Sequence, residues 1–215
     1  MKKIISVLVF TLFVIASANA EVMVTANPLG QGALGWLGAA QSNATTTANS
    51  NSYNLGGFIG YGINDKLDVF GKLAYGTGSN TPSGISANGI EIGVAAKYLL
   101  ATAKDMPADL AVGLSYKSKT TTLSGLVSSQ TVVGDLAVAV IASKVIIPWV
   151  PYCALAYHSL SSSGTTGSNL ELALGGQMLL SASSAVMGEI AFNNENWSGA
   201  TSTSTQITVG YNAKI

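Results

Sequence analysis

The stretch Leu67-Asp68-Val69-Phe70-Gly71-Lys72-Leu73-Ala74-Tyr75 carries the pattern that decides the fold. Leu67, Val69, Gly71, Leu73 and Tyr75 fall on one face of an extended chain, and Asp68, Phe70, Lys72, Ala74 and Gly76 on the other. Successive side chains of a strand point to opposite faces, so a period of two residues reads as a strand. One face is apolar and the other mixes charge with small residues. Turn-rich connectors bound the run, 63–66 before it and 78–86 after it.

The same period recurs along the chain. Ile90, Ile92, Val94, Ala96 and Tyr98 oppose Glu91, Gly93, Ala95 and Lys97. Leu110, Val112, Leu114 and Tyr116 oppose Ala111, Gly113, Ser115 and Lys117. Leu170, Leu172, Leu174 and Met178 oppose Glu171, Ala173, Gly175 and Gln177, and Ile207, Val209 and Tyr211 oppose Gln206, Thr208, Gly210, Asn212 and Lys214. A soluble barrel puts its bulky residues inside and its charges outside. Here the second face is too small and too polar to fill a core, so the bulky face is assigned to lipid.

Composition points the same way. Of 215 residues, 48% are hydrophobic and 9% charged, against roughly 25% charged in ordinary soluble domains. Ten basic residues balance ten acidic ones, which leaves no basic field for a nucleic acid. The longest apolar stretch beyond the N-terminus, 145–157, is interrupted by Pro148 and Pro151 and is short for a spanning helix. Where helices do not cross, a closed barrel is the remaining way to satisfy every backbone group in lipid. The expectation is an all-β, antiparallel up-and-down transmembrane β-barrel of about ten strands, with eight or twelve as the alternative counts. The strands are placed near 31–41, 53–62, 67–77, 87–100, 108–118, 131–142, 147–160, 169–181, 185–193 and 204–215.

The connectors alternate in character. One set is short, at 63–66, 101–107, 143–146 and 182–184. The other is longer and rich in Ser, Thr, Asn and Gly, at 42–52, 78–86, 119–130, 161–168 and 194–203. Short turns face the periplasm and longer loops the outside in such barrels. Aromatic belts then form, with Tyr53, Tyr75, Tyr116, Tyr157 and Phe192 at the outer rim and Tyr61, Tyr98, Tyr211 and Trp149 at the inner one.

The N-terminus reads as a targeting signal. Lys2 and Lys3 precede an apolar run from Ile4 to Ile15, and Ala18-Asn19-Ala20 is a small-residue cleavage site. The expected division is a signal peptide over 1–20 cleaved after Ala20, a periplasmic lead-in over 21–30 and the barrel over 31–215. Cys153, the single cysteine, cannot form an internal disulfide. It shares parity with Leu155 and Tyr157 and should face lipid. No Cys/His set has metal-ligand spacing, and no cofactor is expected.

The stretch Tyr61 to Tyr75 resembles the strand-turn-strand hairpins of small bacterial outer-membrane β-barrels of the OmpA/OmpX type, a porin-like superfamily. The final strand, with Ile207, Val209 and Tyr211, resembles the C-terminal assembly signal of that family. It ends in Ile215 rather than an aromatic residue and has Ala213 third from the end. The resemblance implies a Gram-negative outer membrane, contact with its lipids and lipopolysaccharide, a monomer, and recognition of the last strand by the barrel-assembly machinery.

Strand register suggests what fills the lumen. A loop centred near residue 83 puts Asp68 opposite Lys97 and Lys72 diagonal to Glu91. Gln177 falls opposite or next to Glu189. A loop centred between Gly164 and Thr165 puts Glu171 opposite His158, with Asp135 at the same level. Lys117 and Lys214 complete the lumen set. Buried charges are costly unless paired, so this set reads as a charge-paired network that fixes register around a narrow lumen.

The expected function is an integral outer-membrane barrel with a structural or surface-interaction role and short neutral outer loops. The alternative is a small-solute pore, since many inward positions are Gly or Ala. A hydrolase using His158, the single histidine, ranks third. The outer-membrane lipid A deacylases carry His-x-Ser with both residues on one face. Here Ser159 faces the other way, and Leu160 stands two positions along. The omptin proteases also use ten strands, with acid pairs and a His at the outer rim, and only Asp135 and Glu171 approach that arrangement. No enzymatic activity is expected.

Overall fold

The computed structural model describes residues 25–45, 50–80, 85–124, 129–198 and 200–215. Ten strands account for most of them: β1 Leu34–Thr45, β2 Ser50–Gly62, β3 Leu67–Asn80, β4 Ile85–Ala101, β5 Asp109–Ser124, β6 Ser129–Ser143, β7 Trp149–Ser162, β8 Thr165–Leu179, β9 Ser184–Trp197 and β10 Ala200–Lys214. Each pairs antiparallel with its neighbours in the chain, and β1 pairs with β10, so the sheet closes into a barrel with no edge. Among the described residues no helix is long and apolar enough to cross a membrane. The proposed signal peptide over 1–20 lies outside the described residues.

Period-two alternation appears directly as alternating burial. Along β7, residues 150, 152, 154, 156, 158 and 160 point into the barrel and the residues between them point out. Cys153 is on the outer face. Large apolar residues cover that face, including Leu55, Ile59, Leu73, Ile92, Val94, Leu114, Val138, Leu155, Leu172 and Val209. The inward face is instead lined by small residues, buried polar groups and a few bulky apolar side chains.

The strands run further than the sequence reading placed them. β4 has 17 residues and β5 has 16, whereas a tilted strand needs about 9–11 to cross a bilayer. The Ser/Thr/Asn-rich stretches expected to be loops are largely the far ends of strands. Their backbone pairs across the sheet whatever the side chain, and polar side chains cost nothing where a strand stands clear of lipid. The expected asymmetry of connections is thereby reversed. At the rim away from the chain ends, two to four residues join successive strands, and at the rim with both chain ends four to seven do. Even pairing puts both ends at one rim, the rim expected from the sequence to be periplasmic.

One turn corrects a register. Ser162 pairs with Thr165, so only Ser163 and Gly164 make the loop between β7 and β8. Both have left-handed backbone, with φ of 45° and 82°, as a two-residue hairpin of primed type requires. This loop is centred one residue earlier than expected, which shifts pairing by two. His158 stands opposite Asn169, and Glu171 stands opposite Ala156. Replacing Gly164 with Val should cost about 1–2 kcal/mol, because a side chain in the left-handed region clashes with its own backbone. The check is the urea midpoint for refolding into vesicles, with Ser163→Gly expected at or above the native value.

Candidate functional site in the barrel lumen

The inward positions of β3, β4, β5 and β6 bring three charged pairs into the lumen. Asp68 on β3 and Lys97 on β4 are opposite in register and lie 3.3 Å apart. Lys72, one step diagonal from Glu91, reaches it at 2.6 Å. Lys117 on β5 stands opposite Asp135 on β6 and contacts it at 3.3 Å. Asp135 Oδ1 also meets His158 Nδ1 on β7 at 3.1 Å. Two of the ammonium groups sit over aromatic rings, Lys72 over Phe58 at 5.0 Å and Lys97 over Phe70 at 5.5 Å, where a desolvated cation gains from the ring face.

Two further charged residues face inward beyond the strand ends read from sequence. Lys119 lies directly opposite Glu91, and Glu195 accepts a hydrogen bond from Trp197 Nε1. Parity was the available signal, since each is two residues past an inward position already identified or implied, Lys117 and Asn193. Glu189 accepts from the Tyr152 hydroxyl at 2.9 Å. Glu171 is buried diagonal to His158. Gln177 pairs with Met187, two residues from the Gly175–Glu189 pair. Lys214 is exposed at the periplasmic rim and donates to the Leu29 carbonyl at 2.5 Å. Polar rungs continue around β1, β2 and β10: Asn54 donates to Gln41, and Gln41 to Thr208.

These groups lie between apolar layers. Val133, Leu160 and Trp197 cluster inside the outer part of the barrel. Leu37, Phe58, Tyr152 and Met187 form a second buried cluster. Asp68 and His158 are 0% exposed, and Lys72, Glu91, Lys117, Lys119, Asp135, Glu171, Glu189 and Glu195 are all buried. A continuous water column would expose the side chains along it. At the periplasmic rim a cavity of about 350 Å³ opens between Asn27, Trp36, Lys97, Gln177 and Asn212.

Among the described residues no side chain, serine included, is hydrogen-bonded to His158 Nε2. Ser159 points outward, and exposed Ser161 bonds the Gly134 carbonyl at 3.5 Å. Among the described residues no group of three or more His, Cys, Asp and Glu side chains could hold a metal ion.

The aromatic residues Tyr53, Tyr61, Tyr75, Tyr98, Tyr116, Tyr157, Phe192 and Tyr211 are all on the outer wall, exposed. Trp36 joins them at the periplasmic side, its ring 5.4 Å from that of Tyr211. A ring and polar tip of this kind favour the boundary between lipid and water.

Comparison with known proteins places the chain. A model of the outer membrane protein beta-barrel domain matches residues 6–212. No curated protein matches the sequence. Among solved structures, the beta domain of the Bordetella autotransporter BrkA is similar at 13% identity, covering 86% of this chain and 100% of that one, with a TM-score of 0.53. The translocator domain of the autotransporter NalP from Neisseria meningitidis is similar at 12% identity, covering 86% and 89%, with a TM-score of 0.49. The outer membrane protease OmpT from Escherichia coli is similar at 10% identity, covering 85% and 95%, with a TM-score of 0.48. Likeness at such identity concerns the fold alone.

Proposed function

The chain belongs to the outer membrane protein beta-barrel domain family, and from that premise we propose that it is a sealed, non-enzymatic barrel of the bacterial outer membrane with a structural or surface-interaction role. The observation that carries this reading is the filled lumen, whose charged side chains are all buried. Its ion pairs are buried beneath apolar clusters rather than arrayed along a water path. A porin needs a hydrated, polar bore. A His-dependent hydrolase needs a reachable imidazole with a nucleophile in hydrogen-bond range, and His158 is 0% exposed, with Asp135 at its Nδ1 and no side-chain partner at its Nε2 among the described residues.

The role then falls to the wall and the outer rim. The aromatic-banded wall meets the membrane lipids and lipopolysaccharide. Above it, outward residues such as Ser42, Thr77, Asn88, Ser159, Thr166, Asn196 and Thr203 make a neutral hydroxyl- and amide-rich collar. Export through a signal peptide cleaved after Ala20, and insertion guided by the last strand, complete the proposal.

Planar-bilayer recording of the refolded protein tests it. The expected result is no steady conductance above the lipid background. A steady ohmic conductance would overturn the sealed reading in favour of the small-solute pore. The lipid A mass spectrum of cells expressing the protein should match that of cells without it. A deacylated species that disappears with His158→Ala would overturn the non-enzymatic reading.

A further inference from the structure

Residues 25–29 do not hang below the barrel. Ala26 is 0% exposed and packs with Ala95, Ala111, Ala139 and Ile141, which line the interior. The segment crosses the periplasmic mouth from β3 to β6. At one side the Leu29 amide donates to both carboxylate oxygens of Asp68 at 3.1 Å. In the middle Lys97 Nζ donates to the carbonyls of Thr25 at 3.0 Å and Asn27 at 2.8 Å. At the far side the Ala26 amide donates to Ser143 Oγ at 3.0 Å. Behind the crossing, the Gly32 amide donates to the Gly62 carbonyl at 2.9 Å, and a Cβ at 62 would run into the Gly30 carbonyl.

Two features separate this segment from the rest of the filling. Every hydrogen bond that 25–29 makes above uses its main chain, so the mouth reads a backbone that bends at Ala26 and demands only a small residue there. Its flank is also open: Thr25, Asn27, Pro28 and Leu29 form one wall of the 350 Å³ cavity, so it has room to move without unpacking a strand. The Asp68–Lys97 pair therefore has a task besides fixing register. It presents an acceptor and a donor to a peptide.

We propose that residues 25–29 form a releasable strap, bound through its main chain in a site built of Asp68, Lys97 and Ser143, and that its release opens the lumen to the periplasm. The proposal deepens the sealed-barrel reading and rests on it. The outer cluster of Val133, Leu160 and Trp197 is a separate seal, so release exposes the lumen from one side only.

The test is cysteine accessibility in the refolded full chain. Cys153 is first replaced by Ala, and then Ala26→Cys or Gln31→Cys is introduced. A membrane-impermeant maleimide should label Ala26→Cys at least tenfold more slowly than the exposed Gln31→Cys. Adding Lys97→Met should bring the two rates within about threefold. Equal rates without Lys97→Met would overturn the strap, and unchanged protection with it would overturn the site. Should Lys97→Met fail to refold, Ser143→Ala removes the far anchor alone. It is expected to raise the rate severalfold, and no change would likewise overturn the site. Bilayer conductance reads the overall seal separately, so a strap that fails this test in a non-conducting barrel leaves the sealed reading standing.

Discussion

Replacing Glu91 with Leu is expected to lower the folding free energy by about 3–5 kcal/mol, the usual cost of removing one partner from a buried ion pair. The Lys72–Glu91 contact is 2.6 Å long and both side chains are almost fully enclosed. Glu91 also stands directly opposite Lys119. Its loss leaves two buried ammonium groups facing a position that no longer carries a negative charge. The double change Lys72→Met with Glu91→Leu should recover part of the loss, since apolar groups of similar volume often replace a buried pair without penalty. The measurement is a urea titration of refolding into lipid vesicles, followed by tryptophan fluorescence, for the two single variants and the double. A loss below about 1 kcal/mol for Glu91→Leu, the range of solvent-exposed pairs, would mean that water reaches this layer. That result would undermine the sealed lumen along with the energetic argument.

Much of this arrangement is legible in the sequence, because a strand writes its two faces in a period of two. The alternation around Leu67–Tyr75 identifies a lipid-facing side from Val69 and Leu73 and an inward side from Asp68 and Lys72, and ten such segments close as a barrel. The Asp68–Lys97 pairing follows because a connection centred near residue 83 sets the β3–β4 register, and the two residues stand opposite each other. The strand ends are less legible. Stretches such as Lys119–Ser124 and Asn194–Trp197 carry the side chains of loops, yet sheet pairing depends on backbone groups that every residue except proline supplies. Lys119 and Glu195 lie in such stretches, so their inward positions are not legible from side-chain type. The Ser163-Gly164 turn hid its register because a serine at positive φ leaves no mark that distinguishes it from its serine neighbours. The strap was invisible for a deeper reason. Thr25 to Leu29 has neither charge nor periodicity, and it is held by main-chain atoms whose partners lie as many as 117 residues away.

The inside-out distribution of bulk on which the whole reading depends carries the second large effect. Val94→Arg is expected to destabilise the barrel in vesicles by about 2–4 kcal/mol, while Asn88→Arg on the same face of the same strand should cost about 0–1 kcal/mol. Val94 is the middle member of the outward run Ile90, Ile92, Val94, Ala96 and Tyr98, and 62% of it is exposed on the barrel wall. An arginine there must carry its charge toward headgroups at either side or draw water into the hydrocarbon. Asn88 lies beyond the apolar run, where the collar of hydroxyl and amide groups begins, so the same side chain stays hydrated. The contrast matters more than either value, because arginine's bulk and propensity are common to both sites and cancel in the comparison. Refolding titrations in vesicles of one lipid composition give the two losses. If the wall at β4 faced water, an arginine at an exposed position would change stability by no more than about 0.5 kcal/mol, and the two variants would behave alike. Equal and small effects would therefore reject a lipid-facing wall at this strand, whereas a steep dependence on depth requires one.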